Sequence, residues 1–99
     1  MTRAEGIEFE WDPRKAAKNL RKHKVSFAEA ATVFSDPFSV TASDPDHSAE
    51  ENRYISVGVS KQLRHLMVSF AEGGERVRII SARTLTRSER KTYEEEIHK

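Results

Sequence analysis

Residues 53–83 read RYISVGVSKQLRHLMVSFAEGGERVRIISAR. The segment contains three runs rich in Val, Ile, Phe and Tyr, at residues 53–59, 63–71 and 76–83. Short turns separate the runs, and Gly73-Gly74 stands in the second turn. Runs of this length and composition, joined by short turns, are typical of antiparallel strands that follow one another in a sheet. The segment therefore predicts a three-stranded meander.

Upstream of the meander, Asp12-Pro13 is typical of a helix start. An Asp side chain can accept hydrogen bonds from the free amides of a first turn, and Pro fits the first helical position because it has no N–H to satisfy. We predict a helix over residues 13–22 that buries Ala16, Ala17 and Leu20 and exposes a cationic face.

Two further helix starts have the spacing of a capping box, in which two side chains bond to each other's backbone amides. Ser26 and Glu29 predict a second helix, which Asp36-Pro37 should end. Thr86 and Glu89 predict a C-terminal helix to about residue 97.

Short strands are predicted at residues 7–11, where apolar and acidic residues alternate, and around Phe38 and Val40. Residues 43–52 are acidic and should form a loop. The order of elements indicates an α+β fold, in which two N-terminal helices and one C-terminal helix pack on one side of a small, mainly antiparallel sheet. The chain length leaves room for a single domain, residues 1–99.

Composition excludes several classes of protein. No apolar run approaches the roughly 18 residues that cross a bilayer, and the first ten residues have neither a basic start nor an apolar stretch, so neither a membrane nor a secretory role is expected. With 0 Cys the sequence offers no disulfide, thiol nucleophile or thiolate metal site. We expect a cytoplasmic protein.

The net charge of +1 conceals a strong sorting of charge along the chain. Residues 1–52 carry 7 basic and 10 acidic side chains, a balance of −3, and residues 53–99 carry 10 and 6, a balance of +4. One basic block comprises Arg14, Lys15, Lys18, Arg21, Lys22 and Lys24, and a second comprises Arg76, Arg78, Arg83, Arg87, Arg90 and Lys91. Such blocks form either solvated faces that neutralise acidic segments or a surface that binds a polyanion.

The catalytic motifs of most enzyme classes are missing: the sequence has no Gly-rich phosphate loop, no His-Glu-x-x-His zinc pair and no nucleophile elbow. Arg residues, four His residues and scattered carboxylates are present instead. This set suits the cleavage of RNA, where the 2′-hydroxyl is the nucleophile and the protein supplies a base, an acid and positive charge. Such a reaction requires no metal, and we predict neither a metal site nor a cofactor.

Strand alternation restricts which basic residues can act together. Arg64 and His65 are adjacent and must point to opposite faces of the sheet. In the last strand, Val77, Ile79, Ser81 and Arg83 should share one face and Arg76, Arg78, Ile80 and Ala82 the other. Both faces then carry Arg, so alternation alone does not identify the active face.

A set of short motifs runs through the chain in a fixed order: Trp11-Asp-Pro-Arg-Lys15, Asn19, Lys22-His23, Val25-Ser-Phe-Ala-Glu-Ala30, Val33-Phe34, Asp36-Pro37, Asp44, His47-Ser48, Glu51, Arg53, Gly58, Arg64, Arg78-Ile-Ile-Ser-Ala-Arg83, Thr86-Arg87, Glu89, Arg90 and Tyr93. In order and spacing, residues 9–93 resemble the BrnT-type toxins of bacterial type II toxin-antitoxin modules. The resemblance implies a RelE-like fold, a ribonuclease activity that arrests translation, and neutralisation by a BrnA-type antitoxin. It also implies that the toxin-antitoxin complex binds its operator DNA through a ribbon-helix-helix domain of the antitoxin.

We therefore predict a metal-independent endoribonuclease toxin whose basic surface binds RNA and receives the antitoxin. Arg64 and Arg83 are predicted to stabilise charge in the transition state, and Arg78, Arg87 and Lys22 to bind RNA. His47 or Glu51, and also Tyr93, are candidates for proton transfer. The alternatives are a non-catalytic module that binds nucleic acid and an interaction subunit whose basic blocks meet only an acidic partner.

Overall fold

The computed structural model describes residues 3–4, 6–44 and 52–97, so the predicted site residues His47 and Glu51 lie outside the described residues. Over these ranges the elements are β1 (Arg3–Ala4), β2 (Ile7–Glu10), α1 (Pro13–His23), α2 (Phe27–Ala31), β3 (Val40–Ser43), β4 (Arg53–Val59), β5 (His65–Gly73), β6 (Arg76–Thr84) and α3 (Arg87–Ile97). A 3₁₀ turn, Thr32–Ser35, follows α2 and replaces the last part of the predicted second helix.

The strands form one sheet in the order β1-β2-β6-β5-β4-β3. Strands β3 to β6 pair antiparallel in chain order, which confirms the predicted meander. The N-terminal strand β2 lies beside β6 and runs parallel to it, with Phe9 opposite Val77. The architecture is thus the predicted α+β class with a mainly antiparallel sheet.

A layer made of α1, α2 and the 3₁₀ turn covers one face of the sheet and encloses the core. The side chains that meet there are Phe9, Val25, Phe27, Ala30, Ala31, Val33, Leu66, Val68, Phe70, Val77, Ile79 and Ala82. Burial of one large apolar side chain contributes roughly 1.5–3 kcal/mol, so this single cluster is the main source of stability in a chain of this size. Gly58 is required beneath it, because an added Cβ would lie 3.0 Å from Val33 Cγ1 and from Asp36 Oδ2.

Helix α3 packs against the opposite face of the sheet, which corrects the expectation that all helices share one side. Its Tyr93 is 5% exposed, and the Tyr93 ring lies edge-on to His65 with ring centroids 5.8 Å apart. His65 and Met67 alternate with the core residues of β5 and therefore point away from the helical layer. A groove between α3 and this face is lined by residues that include Val40, Val57 and Met67.

The ends of α1 are built from local signals. The Asp12 side chain accepts a hydrogen bond from the Arg14 amide at 2.8 Å, as the sequence predicts. At the other end Lys24 adopts the left-handed conformation with φ of 60°, and its N–H donates to the Leu20 carbonyl at 3.0 Å. A residue with a Cβ is strained in this conformation, which glycine adopts readily.

The predicted buried face of α1 is wrong in part. Leu20 is 49% exposed and Ala17 is exposed, whereas Asn19 is 6% exposed. The reason is the short length of β2, whose pairing with β6 ends at Glu10 and leaves the β6 backbone around Ala82 without a neighbouring strand on the side away from β5. The Asn19 amide takes the place of a strand there: it donates to the Ala82 carbonyl at 2.8 Å and accepts from the Ala82 N–H at 3.1 Å.

Only one of the two predicted capping boxes is complete. Glu89 accepts from the Thr86 amide at 2.9 Å, and the Glu89 amide donates to the Thr86 hydroxyl at 3.2 Å. At α2 the Ser26 hydroxyl accepts from the Glu29 amide at 3.0 Å, but the Glu29 carboxylate does not return to the backbone of Ser26. It is bonded instead to Ser60 and Arg64, partners far away in the sequence.

Candidate active site

A β-bulge in β6 determines which basic side chains share a face. Ser69 of β5 lies opposite Ser81, but the next residue, Phe70, lies opposite Ile79, so Ile80 is an extra residue in β6. A bulge of this kind shifts the alternation of side chains by one residue. The predicted division of the strand is therefore wrong beyond Ile80: Ala82 joins the buried core, and Arg83 points to the other face.

We call that other face the open face. Helix α3 packs against part of it, and α1 and α2 do not cover it. Because of the bulge, Arg76, Arg78, Ser81 and Arg83 of β6 all belong to it, beside His65, Met67 and Ser69 of β5. Two Arg residues that the sequence assigned to opposite faces, Arg78 and Arg83, are thus brought to the same one. The open face is the part of the sheet where the second basic block is concentrated.

Arg83 lies at the centre of a contact between β6 and α3. Its Nη1 and Nη2 atoms donate to the two carboxylate oxygens of Glu89 at 2.8 and 2.9 Å. Nη1 also donates to the Thr84 carbonyl at 3.2 Å, and Nη2 lies 3.3 Å from the Met67 sulfur. The Arg83 side chain is 38% exposed, so the guanidinium is fixed in orientation and still accessible to a ligand.

The partner of Arg83 was not among the predicted site residues. Hydrogen bonds from Arg83, and then from the Thr86 amide, lower the pKa of Glu89 from 4.5 to about 2. The same contact raises the pKa of Arg83. Glu89 is therefore a carboxylate at neutral pH and orients the guanidinium. The sequence signal for this role was the capping box itself, which places Glu89 in the first turn of the helix that follows β6.

Arg78 precedes this pair along the chain, and Arg87 lies between its two members. Arg78 is half-buried on the open face, where its backbone is opposite Ala71. Arg87 is exposed at the first position of α3. Both side chains lie near the surface. Their role in binding RNA remains a prediction.

Arg64 occupies a different environment from Arg83. It lies in the turn before β5 rather than within the strand, and its side chain points to α2. Its Nε donates to the Glu29 carboxylate at 2.9 Å, and Nη2 donates both to Glu29 and to the Lys24 carbonyl. The hydroxyl of Ser60 donates to the same carboxylate at 2.8 Å.

This cluster gives Arg64 a clear structural contribution. The hydrogen bond from Arg64 is the main cause that lowers the pKa of Glu29, against the opposing effect of burial. Arg64 thereby joins the end of α1, helix α2 and the turn before β5. Its predicted action on a transition state remains a prediction, and the structure does not bring Arg64 to the open face with Arg83.

Tyr93 and His65 are neighbours beneath α3. Burial, followed by the charge of Asp36, raises the pKa of the Tyr93 hydroxyl. That hydroxyl lies 3.3 Å from both Asp36 Oδ2 and the Phe38 carbonyl. Tyr93 is thus an anchor of α3 and a poor proton acceptor. His65 is half-buried on the open face. It lies two residues before Met67 on the same face of β5, and the Met67 sulfur contacts Arg83.

Lys22 belongs to a groove between α1 and β6, which we call the α1 groove. Its lining consists of Lys15, Lys18, Asn19, Lys22, His23, Ile80 and Ser81. In the described part of the chain, the side chains of Lys15, Lys18 and Lys22 take part in no ion pair or hydrogen bond. Ser81 also belongs to the open face, so the two surfaces adjoin.

Residues 3–4, 6–44 and 52–97 contain no group of three His, Asp or Glu side chains placed to hold a metal ion. None of the described helices is long and apolar enough to span a membrane.

The family model described as a ribonuclease toxin, BrnT, of a type II toxin-antitoxin system matches residues 11–89. This chain belongs to the BrnT family. The match includes α1, the whole meander, Arg83 and Glu89. The sequence-based identification of a BrnT-type toxin is therefore confirmed.

A solved structure supports the fold of this BrnT family member. The crystal structure of the Brucella abortus ribonuclease toxin BrnT is similar, with a TM-score of 0.63 and 22% sequence identity. The similarity covers 82% of this chain and 99% of the Brucella chain. At this level of identity the comparison shows a shared fold. No curated protein sequence matches the chain significantly.

Proposed function

We propose that this BrnT family member is a metal-independent endoribonuclease that acts in the cytoplasm, inhibits translation by cleaving RNA, and is neutralised by a BrnA-type antitoxin. The observation that carries the proposal is the family match over residues 11–89, which contains the Arg-rich open face. An RNA strand laid on that face would meet Arg78, Ser81 and Arg83 on one strand.

The proposed reaction is an internal transfer of the phosphodiester. The ribose 2′-oxygen forms a bond to phosphorus, and the bond from phosphorus to the 5′-oxygen of the next nucleotide breaks. A base removes the 2′-hydroxyl proton, and an acid gives a proton to the leaving 5′-oxygen. The products are a 2′,3′-cyclic phosphate and a 5′-hydroxyl. All reactants are in the RNA, so no metal is needed to generate a nucleophile.

Arg83 is the residue that we propose to stabilise the charge that develops on the phosphoryl oxygens. The two-point contact with Glu89 fixes its orientation before substrate binds, and a preorganised donor is worth more than a mobile one. Glu89 itself is a weak base because its pKa is about 2. Arg78 and Arg87 are proposed to hold the flanking phosphates.

For proton transfer we propose a histidine or a carboxylate. His47 and Glu51 keep their predicted candidacy, and His65 is added because it faces the open side of β5 near the contact of Met67 with Arg83. Histidine is the side chain that most often acts as a general acid or base in enzymes. The burial of Tyr93 argues against it as the base.

The antitoxin is proposed to cover the basic surface and α3. The groove under α3 is lined by Val40, Val57 and Met67, and Phe38 nearby is 61% exposed. Acidic side chains of a partner would be attracted to Arg87 and Lys91, and apolar anchors would fill the groove. The resemblance further suggests that the partner is a ribbon-helix-helix protein and that the complex binds operator DNA.

Inducible expression in bacteria tests the proposed function. The chain alone should stop growth, and co-expression of the small protein encoded beside it should restore growth. Purified protein should cleave single-stranded RNA in EDTA and leave DNA of the same sequence intact, because DNA lacks the 2′-hydroxyl. Binding of RNA without cleavage would favour the alternative of a non-catalytic nucleic-acid-binding module.

A further inference from the structure

The free positive charge of the described molecule is concentrated on α1 rather than on β6. On the sheet and α3, Arg76 lies near Glu8 and Glu10, with N–O distances of 3.7 and 3.8 Å, and Arg90 is paired with Glu94. Arg83 is paired with Glu89. The lysines of the α1 groove have no such partners among the described residues. Arg87 and Lys91 of α3 also lack such partners among the described residues, so an incoming polyanion meets uncompensated charge along the α1 lysines as well as at these two positions.

The lysines of the α1 groove form a line along the helix. Lys15, Lys18 and Lys22 are three and four residues apart, which places them on one side of α1. At a rise of about 1.5 Å per residue, Lys15 and Lys22 are separated by roughly 10 Å along the axis. Ammonium groups spread over this length can contact successive phosphates of a strand.

The groove leads directly to the open face. Ile80 and Ser81, the residues at the β6 bulge, line the α1 groove. The same two residues line a second depression, together with Asp44, Arg53, Tyr54, Ser69 and Phe70. Ser81 is two residues from Arg83 on the open face. A strand bound along α1 can therefore cross the bulge and reach Arg83 without leaving the protein surface.

From this geometry we infer that the α1 groove is a binding site for the phosphodiester backbone of single-stranded RNA, outside the cleavage site, that guides the strand across Ser81 to Arg83. The inference rests on the proposed ribonuclease function and adds to it a second contact region. The groove acts on substrate affinity and leaves the chemistry to the open face.

Nucleic acid suits this groove better than a protein segment does. Protein partners are held by buried apolar anchors at the centre of their interface. The exposed large apolar side chains among the described residues are Leu20, Phe38, Val40 and Leu63, and none lines the groove. At about 100° per residue, Leu20 projects from α1 roughly 160° away from Lys22. Ile80 is the one large apolar side chain in the lining and is half-buried, while the three lysines supply the charge that the binding of a phosphate backbone requires.

The sequence offers a matched pair of variants. Lys15→Gln/Lys22→Gln removes two charges seven residues apart that line the groove. Arg14→Gln/Arg21→Gln removes two charges with the same spacing, about 100° further round the same helix, that do not line it. The two variants have the same net charge. A difference in RNA binding between the two variants therefore reflects where the removed charges lie and not the net charge of the protein.

The probe is a single-stranded RNA with 2′-O-methyl groups, which binds and cannot be cleaved, titrated over a range of salt concentrations. We expect Lys15→Gln/Lys22→Gln to reduce the slope of log K against log salt by about 1.4, since each lost contact to a single strand contributes about 0.7. Arg14→Gln/Arg21→Gln should change the slope by much less. With cleavable RNA, the groove variant should raise KM several-fold and leave kcat within about twofold.

Equal effects of the two variants on the slope would overturn the inference, because the binding would then reflect diffuse charge. Loss of affinity for an acidic antitoxin with unchanged affinity for RNA would also overturn it and would make the groove a protein site. Failure of the wild-type protein to cleave RNA is a separate result that contradicts the proposed function. Unchanged KM for the groove variant of an active enzyme contradicts only the inference.

Discussion

The guanidinium of Arg83 and the carboxylate of Glu89 meet in a two-point contact, with N–O distances of 2.8 and 2.9 Å. Glu89 also belongs to the capping box of α3, so the same carboxylate orients an Arg of the sheet and stabilises the start of the C-terminal helix. This arrangement connects the position of α3 to the site that we propose for cleavage. A partner that moves α3 would also disturb Arg83.

Arg83→Ala should lower the rate of RNA cleavage by about 100- to 1,000-fold, the usual effect of removing one preorganised donor. The stability should fall by at most about 1 kcal/mol, because the pair with Glu89 is partly exposed. Arg76→Ala is the matched control, since Arg76 lies on the same face at the other end of β6. Initial rates and thermal unfolding of both variants provide the measurement, and wild-type activity of Arg83→Ala would remove Arg83 from the site.

Acid should weaken the attachment of α3. The pKa of Glu89 in the folded protein is about 2, below its usual 4.5. The contact with Arg83 therefore stabilises the fold at pH values above 4.5, and this stabilisation is lost as the pH falls toward 2. We expect the thermal midpoint to drop between about pH 5 and pH 2, with a smaller drop in Glu89→Gln. Glu29 has a lowered pKa too and contributes in the same direction. An identical acid profile for Glu89→Gln and wild type would show that the contact has no effect on stability.

Arg64→Ala should destabilise the fold by about 1–3 kcal/mol, because it leaves the buried Glu29 carboxylate without its charged partner. The nearby Lys61→Ala, in the same exposed turn, should be nearly neutral. Chemical denaturation measures both. The rate per folded molecule then separates the two roles of Arg64: a rate equal to that of wild type would make the catalytic prediction for Arg64 wrong.

Much of the fold could be predicted because its signals are local. The strands of the meander, the start of α1 at Asp12 and the capping box at Thr86 all follow from residues close in the chain. The capping box at Ser26 did not reveal that Glu29 binds Arg64, a residue 35 positions away. A helical pattern alone cannot indicate a partner of that kind.

The candidate site was less predictable because it depends on a shift of one residue in the pairing of β5 with β6. Strict alternation places Arg83 with Val77, whereas the extra residue at Ile80 moves Arg83 to the face of Arg78. The buried Asn19 was missed for a related reason, since its burial follows from where β2 stops beside β6. Both features are set by strand pairing and not by the local sequence.

Asn19 and Leu20 provide a test of this packing. Asn19→Ala removes hydrogen bonds to the Val25 carbonyl and to both backbone groups of Ala82, and should cost about 2–3 kcal/mol. That loss corresponds to roughly 10 °C or more in Tm for a domain of this size. Leu20→Ala should change stability by less than about 1 kcal/mol because Leu20 is 49% exposed. A reversed order of the two effects would contradict the described position of α1.

Antitoxin binding should protect α3 and the end of β6 from hydrogen exchange. Helix α3 is held to the sheet mainly through Tyr93 and the Arg83–Glu89 contact, so it is the element most easily moved or covered. Affinity should also weaken as salt increases, because the basic surface attracts an acidic partner. Unchanged exchange over residues 83–97, together with an affinity that does not respond to salt, would place the antitoxin elsewhere.

Analysis of the RNA ends shows whether the open face around Arg83 cleaves RNA by attack of the 2′-hydroxyl. Purified wild-type protein in EDTA should produce fragments with a 2′,3′-cyclic phosphate and a 5′-hydroxyl, and Arg83→Ala should produce almost none. Fragments with a 3′-hydroxyl and a 5′-phosphate, or cleavage that occurs only after metal is added, would rule out this mechanism.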